Sequence, residues 1–389
     1  MLDFTNTEIA FGSKNPKDLK RAYWLFKVVS YPWIVKLGKR LTPWLLKLRF
    51  PIKGIIKATI FRQFCGGESI EECTERIDEL GKFGVGTILD YSVEGKTSDE
   101  DFEHTTQIII STIEKAKNSE NIPFAVFKVT GIGRFDLLEV ASEVKTTANE
   151  QVLHEIAAVK ERFKRICAAA AQHGVRLFID AEETWIQPVL DAWTWEMMCC
   201  YNQDRAIIYN TVQMYRHDRL DFLQQQLPQV QAAGIVYGVK LVRGAYMEKE
   251  RARAAAMGYH SPIQPDKEST DRDYNKALKF IVENHQHFAV CAGSHNEESS
   301  RLLTELMAQN KLKPGNERFY FAQLLGMSDH ISYNLSNAGY KVAKYVPFGP
   351  VKEVLPYLLR RADENTSVAG QTGRELGLIS AELRRRKGK

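Results

Sequence analysis

The sequence predicts an α/β protein whose eight strands close into a (β/α)8 TIM-type barrel, preceded by a basic α-helical arm. Three observations predict it. Apolar, β-branched runs recur eight times, segments with a 3.6-residue apolar period lie between them, and the first run is not followed by a G-x-G-x-x-G loop. The runs are VGTILDY from Val85, FAVFKVTG from Phe124, VRLFIDAE from Val175, AIIYNTVQ from Ala206, YGVKLVRG from Tyr237, FAVCAGSH from Phe288, RFYFAQLLG from Arg318 and YKVAKYVPFG from Tyr340. Helical periodicity marks Thr105 to Lys117, Glu150 to Gln172, Leu190 to Tyr201 and Asp271 to Asn284. Near-continuous apolar strands alternating with helices mean a parallel sheet covered on its outside. A doubly wound open sheet is the alternative, and it would need the glycine-rich phosphate loop that VGTILDYSVEG does not offer.

Composition bounds the function classes. With 389 residues, 44% of them hydrophobic and 26% charged, the chain can bury a large core, which excludes a disordered or fibrous protein. The six cysteines (Cys65, Cys73, Cys167, Cys199, Cys200, Cys291) include no C-x-x-C pair and no disulfide-framework spacing, as expected of reduced thiols in a cytoplasmic-type compartment. No stretch of about 18 apolar residues is free of charge. The start, MLDFTNTEIAF, carries acids early and has no apolar core segment, so neither a secretory signal nor an Arg-rich transit peptide is expected, and the chain is expected to be the mature one.

The net charge of +5 is unevenly placed. Between Leu19 and Gly67 stand eleven Lys or Arg and no Asp or Glu, so the rest of the chain carries −6. Trp24, Phe26, Trp33 and Trp44 interleave with these cations. Such a stretch suits an anionic membrane interface. It suits equally an arm that packs its apolar stripe on the main domain while Lys stems reach outward, and the two can coexist. Nucleic acid is not an expected partner, because no base reader or stacking platform can be named. The expected division is a basic helical arm over 1–84 and a barrel with C-terminal helices over 85–389.

A barrel places its active face at the C-terminal ends of its strands. Lys128, Asp180, Gln213, Lys240, Arg243, His295 and Tyr345 all fall at such ends, and this clustering argues for an enzyme. A lysine inside the apolar strand FAVFKVTG must be paired or perform chemistry. Lys128 therefore pairs with a carboxylate such as Asp180 or Asp90, or else forms a Schiff base as in a class I aldolase. Lys240 and Arg243, with Tyr246 close behind, suit a flavin or equally a sugar phosphate, while Glu248, Arg251 and Arg253 read as a solvated helix face. Arg360 and Arg361 lie on a helix with the apolar stripe Val354, Leu355, Leu358 and Leu359. Their guanidinium forks would hold a small carboxylic acid, or clamp an acid of the chain such as Glu364. None of the nine histidines stands in a metal-ligand spacing, so metal catalysis is not expected.

The strings KLVRGAY, DAEETWIQP, YNTVQMY, FAQLLGMSDH and AKYVPFGPVKEVLPYLLRRADEN, spread from about Val85 to Arg385, closely resemble the proline dehydrogenase (proline oxidase) family. The KLVRGAY form and the basic, Trp-rich arm look like the mitochondrial-type branch; without a transit peptide, a bacterial monofunctional enzyme is implied. The resemblance implies a distorted (β/α)8 barrel holding FAD. It implies that Arg360 and Arg361 grip the proline carboxylate, that Tyr345, Tyr357, Tyr246 and Leu241 enclose the pyrrolidine ring, and that Lys128 and Asp180 complete the polar side as a buried pair. Lys240 would stand near flavin N5, with Gln213, Val242, Arg243, Gly244, Lys267, Ser294, His295 and Asn296 lining the cofactor. This chain has Lys240 where bifunctional relatives have Arg, which keeps the charge and loses the planar fork, and Pro265 where some relatives use a Thr to touch FAD.

The implied reaction is oxidation of L-proline to Δ1-pyrroline-5-carboxylate by hydride transfer from C5 to the flavin. Electrons would pass on to a membrane quinone, from an enzyme peripheral on the cytoplasmic side of the inner membrane. Tyr345 implies weak activity on hydroxyproline, because a small residue there would be needed to admit a ring hydroxyl. The length leaves no room for an aldehyde dehydrogenase or DNA-binding domain, so the second oxidation is expected of a separate pyrroline-5-carboxylate dehydrogenase. Methylenetetrahydrofolate reductase shares barrel and FAD, but the double-arginine helix argues for a small amino acid over folate. A non-catalytic membrane-binding barrel is the remaining alternative.

Overall fold

A computed structural model describes residues 2–31, 33, 53–93, 97–143, 148–367 and 371–388. Residues 34–52 of the basic segment, with Trp44, lie outside the described residues. In chain order the elements are α1 (Thr7–Ala10), α2 (Pro16–Val29), α3 (Lys53–Ile56), a π-helical turn (Lys57–Phe61), α4 (Arg62–Phe64), α5 (Thr74–Gly81), β1 (Val85–Tyr91), α6 (Asp99–Lys117), β2 (Phe124–Lys128) and a 3₁₀ turn (Val129–Gly131). There follow α7 (Phe135–Ser142), α8 (Glu150–His173), β3 (Arg176–Asp180), α9 (Gln187–Tyr201), β4 (Ile208–Gln213), α10 (Arg219–Ala233), β5 (Tyr237–Val242), α11 (Met247–Met257) and α12 (Lys267–Glu283). The last are β6 (Phe288–Gly293), α13 (Glu297–Gln309), β7 (Phe319–Leu324), α14 (Asp329–Asn337), β8 (Lys341–Phe348), α15 (Leu355–Ser367) and α16 (Gln371–Lys387).

The eight strands form a closed barrel in the order β1 to β8, which bears out the (β/α)8 reading and removes the doubly wound alternative. All eight apolar runs became strands. Helix starts differ from the periodicity. α6 begins six residues before Thr105, because Ser98 caps it by accepting Asp101 N–H at 3.1 Å. Likewise α12 begins four residues before Asp271 under the cap Asp266, which accepts Ser269 N–H at 2.7 Å. First turns are polar and carry no apolar period, so only the cap marks them.

The chain forms two compact units. One comprises residues 95–322, with β2 to β6 and most of β7. Here β3 shows how the barrel interior is layered, since its alternate residues Arg176, Phe178 and Asp180 face one way. At the base, the Arg176 guanidinium lies 5.6 and 5.3 Å from the ring centroids of Phe124 and Tyr320 and pairs with Glu317 at 2.6 Å. Above it Phe178 stacks on Phe124 at 4.3 Å and meets Tyr209 edge-on at 5.5 Å. Gly238 makes room for that ring, since a Cβ there would stand 2.6 Å from the Tyr209 ring. The uppermost layer is polar and contains Asp180.

The other unit comprises residues 1–94 and 323–389. Its β1 and β8 pair in parallel from Val85↔Val342 to Tyr91↔Phe348. Leu19, Ala22 and Phe26 of α2 pack on Leu378 and Ile379 of α16. The arm thus packs an apolar stripe as expected, and Arg386 fastens it by donating to the carbonyls of Phe11 and Lys14, each at 2.8 Å. The opposite stripe is exposed: Trp24 by 59%, Val28 by 43%, Tyr31 by 47% and Trp33 by 65%. Phe61, Phe64 and Cys65 pack with Val351, Val354, Tyr357 and Leu358, which seats the first turns of α15.

Candidate active site

Three strands of the 95–322 unit bring a charged cluster together. Parallel register sets Lys128 of β2 beside Asp180 of β3, and Lys240 of β5 reaches the same carboxylate. Lys240 Nζ hydrogen-bonds Asp180 Oδ1, while Lys128 Nζ stands 3.9 Å from Oδ2. The expected Lys128–Asp180 pair is therefore a shared arrangement in which Lys240 is the nearer partner. Lys240 also lies over the Phe178 ring at 5.5 Å. Asp180 is 8% exposed, so two cations surround one largely desolvated carboxylate, where charge interactions are stronger than in water. Leu241 is fully buried and does not join this cluster; strand alternation sets it on the face of β5 opposite Lys240.

Beyond Asp180 the chain carries a carboxylate that the sequence reading passed over. Glu182 is buried, and its two oxygens accept the Thr130 hydroxyl at 2.9 and 2.7 Å and the Thr130 N–H at 3.3 Å. Burial pushes its carboxyl up to about 7, aided by the charge of Glu183 and opposed by the Thr130 bonds and by Lys128. Gln213, predicted to line the cofactor, donates to the Glu182 carbonyl at 2.9 Å. The neighbouring loop is tied to α11: Glu250 accepts Thr184 N–H and Oγ1–H, both at 2.7 Å, and Lys249 pairs with Glu183. Arg253 pairs with Glu139 and lies 4.2 Å over Trp185, so that part of α11 is engaged with neighbours; Glu248 and Arg251 are exposed, as expected of a solvated face.

A second cluster follows β5 and β6. Arg243 donates from Nε to Asp271 at 2.6 Å, from Nη1 to Ser294 Oγ at 2.8 Å and from Nη2 to Ser299 Oγ at 2.9 Å, with its guanidinium 4.2 Å over the Tyr274 ring. Burial alone would raise Asp271, but hydrogen bonds from Lys267 and Arg243 hold it below the usual carboxylate range. Asn296 caps α13 by accepting Ser299 N–H at 3.0 Å, and His295 is half-buried just before it. Gly244 has φ of +127°, and a Cβ there would fall 2.4 Å from the Tyr215 ring, so the backbone lies directly on an aromatic face. Val242 is half-buried, and Tyr246 is half-buried at the start of α11. Pro265 lines a cavity of about 580 Å³ with His217, Arg251, His260 and Gln264.

The remaining predicted residues belong to the other unit. Tyr345 of β8 is buried and its carbonyl accepts Leu325 N–H at 2.9 Å. Tyr357 and Arg361 are buried on α15, the Arg361 guanidinium 5.1 Å over the Tyr357 ring, and Arg360 is half-buried. The Glu364 side chain lies outside the described residues.

The donor set suits FAD. Arg243 and Lys267, both paired with Asp271, set two cations near the amino end of α13, the charge and N–H chemistry a pyrophosphate would need. Among the described residues no helix is long and apolar enough to cross a membrane.

Comparison with known proteins agrees with these features. The sequence profile described as "Proline dehydrogenase" matches residues 73–374. Proline dehydrogenase 1, mitochondrial, of Dictyostelium discoideum is 33% identical over 426 residues, covering 98% of this chain and 74% of the relative. Hydroxyproline dehydrogenase of Xenopus laevis is 32% identical over 422 residues, covering 97% and 88%. Among solved structures, proline utilization A from Bdellovibrio bacteriovorus superposes with a TM-score of 0.73 at 19% identity, over 93% of this chain and 38% of that one, a likeness of fold. The matched profile spans the barrel strands and both charged clusters: the chain belongs to the proline dehydrogenase family.

Proposed function

We propose that the protein oxidises L-proline to Δ1-pyrroline-5-carboxylate with FAD as cofactor, as the first step of proline breakdown. The observation that carries this reading is the Lys128–Asp180–Lys240 cluster at the strand ends of a proline dehydrogenase barrel, with the Arg243 cluster following the same strand. Proline C5 gives up a hydride and the ring nitrogen a proton, which leaves the imine. FAD, when bound, would supply the hydride acceptor, with a membrane quinone as the final acceptor of the electron pair.

The protein's own groups bind and orient. Arg360 and Arg361 hold the substrate carboxylate in forked hydrogen bonds. Tyr246, Tyr345 and Tyr357 enclose the ring, and the bulk of Tyr345 disfavours a ring hydroxyl. Lys128 and Asp180 would form the polar side, Lys240 would place a cation by the flavin, and Gln213, Val242, Arg243, Gly244, Lys267, Ser294, His295 and Asn296 would hold the cofactor. Fixing proline in one orientation supplies most of the acceleration. No strong base is assigned, and substrate enters with its amine already deprotonated. The product passes to a separate pyrroline-5-carboxylate dehydrogenase.

An absorption spectrum before and after anaerobic addition of L-proline tests this reading. A visible flavin band that bleaches with proline, and barely with hydroxyproline, supports it; a flavin that proline leaves oxidised overturns the substrate. The exposed Trp24, Val28, Tyr31 and Trp33, flanked by Lys17, Lys20 and Lys27, support a peripheral seat on the cytoplasmic face of an anionic inner membrane, next to the lipid-soluble acceptor. Sedimentation with anionic liposomes at low salt, lost at high salt, is expected; failure to sediment removes the membrane role.

A further inference from the structure

Glu182 is absent from every role assigned above, yet it joins two elements that carry the site. Its side-chain oxygens take both polar hydrogens that Thr130 offers, and its carbonyl takes the Gln213 amide. Thr130 sits in the 3₁₀ turn that directly follows Lys128. Glu182 therefore clamps the end of β2 to the end of β3, two residues beyond Asp180, with β4 attached through Gln213.

We propose that Glu182 is a positioning residue for the reaction: by holding the turn after β2 and setting a carboxylate next to Lys128, it fixes the place and charge balance of the Lys128–Asp180–Lys240 cluster. The inference rests on the proline-oxidising reading. The charged groups acting on Glu182 are Lys128 from β2 and Glu183 from its own segment; Lys128 shares Asp180 with Lys240 of β5, and Glu183 pairs with Lys249 of α11. With Glu182 ionised, Lys128, Lys240, Asp180 and Glu182 sum to zero; with it protonated, they carry one positive charge. Because its carboxyl is pushed up to about 7, this balance changes near neutral pH. A substrate that is itself a carboxylate meets a different field on either side of that point.

The test uses the flavin-loaded protein with L-proline and an artificial electron acceptor, across pH 5.5 to 9. Glu182→Gln is expected to keep its flavin, to lose the near-neutral ionisation from the kcat/KM profile, and to lower kcat/KM between about 10- and 100-fold. A second readout needs no turnover: the infrared band of the protonated carboxyl should disappear in Glu182→Gln. In Thr130→Val its pH midpoint should move upward, because the ionised form loses hydrogen bonds. If Glu182→Gln does not fold, the same upward shift in the Thr130→Val rate profile carries the test. A Glu182→Gln enzyme with the wild-type profile and rate overturns the inference and leaves the proline reading standing. A wild-type protein that shows the carboxyl band yet ignores proline overturns that reading, and the positioning role with it.

Discussion

The two units each bury a cluster of carboxylates and lysines, and in each the acid that holds two lysines differs from the acid beside it. In the unit of residues 1–94 and 323–389, Asp329 pairs with Lys344 at 2.9 Å and Lys14 at 3.0 Å, and Lys344 also donates to the Met327 carbonyl. Burial opposes ionisation of Asp329, but the two lysines overcome it and hold that carboxyl far below its usual range. Beside it, Glu375 of α16 accepts Ser328 N–H, lies 3.9 Å from His330 and is pushed up by burial, as Glu182 is. In the 95–322 unit, two lysines share Asp180, and Glu182 next to them is left with hydroxyl and amide partners and a raised pKa. The difference teaches that the number of cations per acid, more than burial itself, separates a fixed structural charge from a group poised to change charge.

Three measurements press on that comparison. The largest effect is expected from Asp329→Asn, which leaves Lys344, 0% exposed, without its anion; a loss of about 3–5 kcal/mol in urea unfolding is expected, and a loss below 1 would make the cluster unimportant.

A smaller effect separates the clusters by pH. Asp329 has a folded pKa below its unfolded value of about 3.9, so its stabilisation is complete above that value and disappears as pH falls below it. Glu182 is the reverse: raised from about 4.3 to about 7, it favours the fold at low pH and loses that contribution as pH rises through the interval. Relative to wild type, Glu182→Gln should therefore gain on the order of 3 kcal/mol between pH 4 and 8, read from paired denaturation curves. A constant difference across that range would erase the contrast.

Lys57→Ala serves as the lower bound. Lys57 pairs with Glu68 at 2.7 Å but is 44% exposed in its side chain, and a cost under about 1 kcal/mol is expected. A cost as large as that of Asp329→Asn would show that burial is not what gives these pairs their weight.

The barrel was legible because each strand is a run of apolar residues bounded by polar ones, a pattern that survives without any tertiary information. Lys128, Asp180, Lys240 and Arg243 were legible for the same reason, as charges at the ends of such runs. Glu182 and Thr130 were not, because they lie in turns after strands, where no period distinguishes a clamp from a solvated loop; the signal available was that Glu182 follows Asp180 at strand spacing. Asp271 was hidden in a helical segment whose period reports only the buried face. That Lys240 is nearer than Lys128 to Asp180 depends on side-chain reach between β3 and β5, which are not neighbours in the sheet, so no spacing in the sequence reports it.

The docking of α2 on α16 also governs how the chain must be made. Leu19, Ala22 and Phe26 precede the barrel in the chain, but their partners Leu378 and Ile379 are synthesised only after all eight strands. β1 waits almost as long for β8. At roughly 5–20 residues per second, the arm's apolar stripe stays uncovered for about 20–70 s during each round of translation. A nascent chain in that state is a substrate for chaperones, and a variant lacking α16 would carry the uncovered stripe permanently.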